Sequence, residues 1–201
     1  MRIYFAGDHA GFEMKSKLME FVRSLGHEVE DLGPFSYEAG DDYPDYVIPL
    51  AMRIAKAQID ADTETRIDAD TNSADKRRLN IGVHLPAHPR SSAVRGIVVA
   101  GSGQGEIIAM NRVRGARAAL FCPCSCAQIN ADESADKRRL NPSLELVKAS
   151  RDHNDSNIFT IGARFCTLDE AKKGITVWLE TPFSNVERHV RRLVKIDAVS
   201  L

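Results

Sequence analysis

Three features of the 201-residue sequence predict an α/β fold: a Rossmann-like, doubly wound sheet of about five parallel strands with helices on both faces and two polar insertions. Short β-prone runs alternate with amphipathic helical stretches, which implies parallel strands joined by helical crossovers. Glycine-rich turns follow two of the strand-like runs, and two polar segments interrupt the alternation.

Arg2 to Ala6 reads as the first strand and Gly7-Asp8-His9-Ala10-Gly11 as the turn that ends it. Met14, Leu18, Phe21, Val22 and Leu25 recur at helical spacing, with Gly26 placed as a C-cap glycine. His27 to Leu32 forms a second strand that stops at Gly33-Pro34. Asp41-Asp42-Tyr43-Pro44 opens a helix through about Ala57, with Pro44 in its first turn. Gly96 to Ala100 is the third strand; it runs through Gly101-Ser102-Gly103-Gln104-Gly105-Glu106 into the helical run Ile107 to Met110. Ala116 to Phe121 and Asn157 to Ile161 supply the fourth and fifth strands. Two helices close the chain, each opened by a capping-box pattern, Thr167 with Glu170 and Ser184 with Glu187.

The sequence reads as one domain with insertions at about residues 59–92 and 127–148. These segments carry a near repeat, Ile67 to Asn80 against Ile129 to Asn141, and both copies end in Ser-Ala-Asp-Lys-Arg-Arg-Leu-Asn. Nothing else in the chain repeats, which excludes a solenoid. Solvated surface loops are the expected form; a paired lid or oligomer contact through Lys76, Arg77, Arg78 and Lys137, Arg138, Arg139 is the alternative.

Lys and Arg total 27 against 28 Asp and Glu, a formal charge of −1, so a general nucleic-acid binder is not expected. No run of about 18 apolar residues occurs, and Asp8 and His9 arrive before any signal-peptide core could form. A cytoplasmic protein is expected, with no membrane partner. Cys122, Cys124 and Cys126 are too tightly grouped for a disulfide framework and Cys166 lies forty residues on, so all four are read as reduced thiols and no metal site is assigned.

Glycines at 101, 103 and 105 between a strand and a helix leave backbone N–H groups to cradle an anion. Glu106 stands where a dinucleotide fingerprint needs glycine, and the Walker ending is absent. On the residues alone, Glu106 reads as a carboxylate offsetting the helix dipole. Asp8 and His9, at the carboxyl end of the first strand, project toward the same crevice. His153 and Asn154 precede the fifth strand whereas Arg164 follows it, so one site using both needs a neighbouring chain or an intervening turn. On the last helix, Arg188 and Arg192 lie one turn apart opposite the stripe of Val186, Val190, Leu193 and Val194; they read as solvated charges or as a two-pronged phosphate clamp.

Together, Gly7-Asp-His-Ala-Gly11, Asp42-Tyr-Pro-Asp45, Gly96 to Glu106, Asn111 to Ala119, Asp152 to Asn157, Ile161-Gly-Ala-Arg164 and Arg188 to Arg192 resemble the family of type B ribose-5-phosphate and galactose-6-phosphate isomerases. The resemblance covers residues 1–58, 93–126 and 149–197. Many members carry a catalytic cysteine just before the glycine-rich loop, where this chain has Ala100; a subgroup uses the glutamate that corresponds to Glu106. The resemblance therefore implies an aldose–ketose isomerase with Glu106 as base, acting through an enediolate without metal or organic cofactor. It implies catalytic roles for Asp8, Ser102 and His153, and substrate contacts by His9, Tyr43, Gly101, Gly103, Gln104, Gly105, Asn111 and Asn154. Phosphate falls to His9, Arg164, Arg188 and Arg192, in a homodimer or larger homo-oligomer with shared sites. Ribose 5-phosphate is the expected substrate, with galactose 6-phosphate, allose 6-phosphate or a tetrose phosphate as alternatives. A sugar-phosphate-binding protein without turnover is the alternative from another class.

Overall fold

A computed structural model describes residues 1–72, 94–123 and 142–199. Strands β1 (Arg2–Gly7), β2 (Glu28–Asp31), β3 (Val94–Ala100), β4 (Ala118–Phe121) and β5 (Ile158–Gly162) form one sheet in the order β2-β1-β3-β5-β4. Every pairing is parallel, from Arg2 opposite Glu28 at one edge to Ala118 opposite Ile158 at the other. Helices α1 (Phe12–Ser24), α2 (Pro44–Asn72), α3 (Gln104–Met110), α4 (Pro142–Asp152), α5 (Leu168–Glu180) and α6 (Glu187–Asp197) complete the described chain.

Alternation along the strands divides the core into two layers. Ile3, Phe5, Ile97, Val99, Phe159 and Ile161 point to one face and pack with Leu18 and Val22 of α1, Val147 of α4 and Ile175 and Trp178 of α5. Tyr4, Ala6, Val98 and Ile158 point to the other and meet Val47, Leu50 and Ile54 of α2 and Met110 of α3. The doubly wound parallel sheet read from the sequence is therefore the observed architecture.

Three elements differ from expectation. Helix α2 continues through Asn72, well past Ala57, taking in the start of the first repeat copy. The segment read as a second surface loop gives way at Pro142 to α4, whose Val147 is buried and whose Leu144 packs on the core. Those two apolar positions, three apart, are the helical signal, and the charged neighbours mask it. At α6 the expected Ser184 and Glu187 capping box does not form. Val186 is the N-cap, without a side-chain bond, while the Ser184 backbone N–H and hydroxyl both donate to the Asp152 carbonyl, at 3.1 and 2.7 Å. The Thr167 and Glu170 box at α5 forms with both reciprocal bonds. Lys76, Arg77, Arg78, Lys137, Arg138, Arg139, Cys124 and Cys126 lie outside the described residues, as do the second repeat copy and all but Ile67 to Asn72 of the first.

No helix among the described residues is long and apolar enough to cross a membrane. Cys122 and Cys166 are free thiols, and burial pushes the Cys166 thiol up to about 11.

Candidate active site

The chain leaves β1 toward one edge of the sheet and returns on the other side of β1 to form β3, so their carboxyl ends flank a topological switch point. Asp8 follows β1 there. Its carboxylate accepts from the Gly11 N–H at 2.9 Å and from the Gly101 N–H at 3.3 Å, clasping the two glycine turns together. This fastening leaves Asp8 almost wholly buried.

Beyond β3 the backbone turns at Gly103, whose φ of +77° makes it a left-handed N-cap for α3. The helix starts at Gln104, three residues before the apolar run, so Glu106 sits inside its first turn. Glu106 is 4% exposed, unlike a solvated dipole-offsetting carboxylate. Burial raises its pKa above the ordinary carboxylate value and the negative charge of Asp8 adds to the rise, against a lowering by a backbone hydrogen bond. A carboxylate that holds its proton more tightly is a stronger base once ionised.

Other side chains converge on this turn. A methyl group on Gly105 would come within 2.6 Å of the Tyr43 hydroxyl, which places that phenol directly over the loop. The turn after β5 is bonded to the end of β3, with the Arg164 N–H donating to the Gly101 carbonyl at 3.2 Å. The Arg164 guanidinium then lies against Gly101, within 3.4 Å of where a Cβ would stand. Ser102 and Gln104 are exposed at the rim, where the Gln104 N–H donates to the Ser102 hydroxyl at 3.3 Å. His9 is fixed by Asp41: its Nδ1 and the Asp41 carboxylate are 2.6 Å apart, and its backbone N–H reaches the same oxygen at 3.3 Å.

The remaining candidates stand at the opposite pole. His153 and Asn154 follow α4 and precede β5, both exposed, with the imidazole Nε2 3.3 Å from the Asp152 carboxylate. Arg188 and Arg192 are exposed on α6, beside the same turn. Asn111 is also at this end, and its side-chain amide is committed: it donates to the Ala118 carbonyl at 3.1 Å and accepts from the Ala118 N–H at 2.7 Å. That pairing fastens the end of α3 to β4. One chain thus assembles Asp8, His9, Tyr43, Gly101, Ser102, Gly103, Gln104, Gly105, Glu106 and Arg164 at one pole, and keeps His153, Asn154, Arg188 and Arg192 at the other.

Two residues bonded to candidate side chains are not picked out by the sequence motifs. Asp41 lies 32 residues from His9, and no local pattern joins them. His189 has no assigned role, although it falls three residues after Val186 and four before Leu193, on the buried stripe of α6. Beneath the His153 turn, Asp155 accepts from Arg117 and from Arg151, each at 2.8 Å, and Arg151 also donates to the Ser156 carbonyl at 2.5 Å. Buried charges paired and bonded in this way hold a turn rigidly.

The family described as Ribose/Galactose Isomerase matches this chain over residues 3–63, 82–137 and 142–196, reaching into both segments read as insertions. Ribose-5-phosphate isomerase B of Mycolicibacterium paratuberculosis is 33% identical over 193 residues, which span 96% of this chain and 87% of that protein. Among solved structures, type B ribose 5-phosphate isomerase of Trypanosoma brucei is similar with a TM-score of 0.67 and 28% identity, over 99% of this chain and 98% of its own. A ribose 5-phosphate isomerase of Thermotoga maritima matches with a TM-score of 0.63 and 30% identity over 98% of both chains. The chain belongs to the ribose/galactose isomerase family.

Proposed function

We propose that this chain interconverts ribose 5-phosphate and ribulose 5-phosphate, with Glu106 as the base that carries a proton between the two carbons of an enediolate. The observation that carries this reading is a buried carboxylate of raised pKa in the first turn of α3, across the switch point from Asp8. The ionised Glu106 takes the proton from the carbon beside the carbonyl and returns it to the neighbouring carbon, so no electron acceptor is consumed. Backbone N–H groups of the Ser102 to Gly105 turn, with the Ser102 hydroxyl, stabilise the developing oxyanion, each well-placed donor contributing about 3 kcal/mol. Asp8 and Tyr43 act on the sugar hydroxyls, and the glycines at 101, 103 and 105 let the substrate approach the backbone.

His153 and Asn154, and the phosphate clamp of Arg188 and Arg192, reach this site from a second copy of the chain, joining His9 and Arg164. The separation of the two groups at opposite poles supports at least a homodimer. Incubation of the purified protein with ribose 5-phosphate in deuterated water tests the reading. Formation of ribulose 5-phosphate with deuterium entering beside the carbonyl is expected; binding without exchange would overturn it in favour of a sugar-phosphate sensor.

A further inference from the structure

Three side chains at the pole opposite Glu106, ending on a backbone carbonyl, form a connected chain whose hydrogen-bond directions are all determined. Arg188 Nε lies 3.0 Å from His189 Nε2, and a guanidinium can only donate, so that imidazole nitrogen is bare. The proton therefore sits on Nδ1, which donates to the Ser184 hydroxyl oxygen at 3.0 Å. Ser184 in turn donates to the Asp152 carbonyl at 2.7 Å. His189 is 3% exposed, and its ring packs on that of His153 with centroids 4.4 Å apart.

We propose that His189 is a positioning residue for phosphate: it engages Arg188 through Nε, reserves the two terminal amines for the anion, and ties that arginine to the α4 end that presents His153. This rests on the isomerase reading for the identity of the anion. His189 touches no substrate, being buried beneath the two residues it aligns. Protonation would set two donors face to face and break the contact with Arg188. The surroundings oppose that charge: burial lowers the His189 pKa most, followed by His153 and Arg188, with Arg192 adding to the effect and Asp152 working against it.

His189→Phe keeps the ring against His153 and deletes both nitrogens, whereas His189→Gln restores an acceptor. The Phe variant should bind inorganic phosphate about tenfold more weakly by titration calorimetry and raise the KM for ribose 5-phosphate to match, with kcat little changed, as expected for one lost bond to a charged group. The Gln variant should recover part of the loss. Ser184→Ala, which cuts the chain one link away from Arg188, should weaken phosphate binding less than the Phe variant does. Phosphate affinity of the natural protein should also fall in acid as His189 gains its proton, a limb missing from the Phe variant. A Phe variant with native circular dichroism and unchanged phosphate affinity would overturn the proposal, as would a fall in kcat at constant KM. The phosphate titration involves no turnover, so a protein inert toward every sugar would fail the isomerase reading and still decide this one.

Discussion

In the proposed reaction, Glu106 is a base whose burial is also a structural cost. Because its carboxyl titrates above the ordinary value, folding is favoured while it is protonated. That contribution is complete below the unfolded carboxylate range and is lost as pH rises through the raised value. Glu106→Gln should therefore melt at a higher temperature than the natural protein at neutral pH, with the difference vanishing near about pH 4. The same variant should lose about 10²- to 10⁴-fold in kcat. In the natural protein, kcat should fall as pH drops through the raised Glu106 value. A scanning-calorimetry series across pH and a pH–rate profile check both halves. Glu106, Asp8 and the glycines could be located from the sequence because they follow strands, and strand ends are readable from local pattern. The Asp41 carboxylate beside His9 could not, since contacts across 32 residues depend on a loop path that no periodicity encodes.

At the scale of the element, the turn between β3 and α3 leaves no room for a side chain at Gly103. Gly103 adopts φ +77°, and a Cβ there would fall 2.6 Å from Leu120 Cδ1 and 3.0 Å from Thr160 Cγ2. Gly103→Ala combines left-handed strain with overpacking and should cost about 1–3 kcal/mol in urea unfolding, with activity falling as the loop shifts. Gly40 meets nothing within 4 Å and shows no left-handed φ, so Gly40→Ala is the control and should be close to neutral. Strands and long amphipathic helices are legible because burial imposes a period. Helix α4 carries Leu144, Leu146 and Val147 among polar and charged neighbours, with Leu146 exposed, and it forms because Leu144 and Val147 find the core. The α6 cap was misread because Ser184 satisfies a carbonyl of another element, an option invisible to a rule about one helix.

For the molecule as a whole, the division of candidate residues between two poles makes a sharp statement about assembly. If each site draws Glu106 from one copy and Arg192 from another, Glu106→Gln and Arg192→Ala are each inactive alone. Mixing and reassembling them in equal amounts should restore about a quarter of the natural activity, because half the dimers are mixed and each of those regains one intact site. Assay after co-refolding checks this; no recovery would mean that the two poles serve separate tasks. The sheet's composition and parallel sense followed from the sequence, whereas its strand order did not, since hydrophobic runs carry no record of which neighbour they choose.

That order has a consequence for biosynthesis. Strand β4 pairs with β5, which leaves the ribosome later, after α4 has been made. Ala118 to Phe121 must therefore wait, edges open, until Ile158 to Gly162 slides in between them and β3. Thr160, which supports the Gly103 turn from below, arrives with that same late insertion. A nascent chain arrested before it would carry every residue of the glycine-rich turn yet lack the floor that shapes it, so the pocket matures only once β5 has been made.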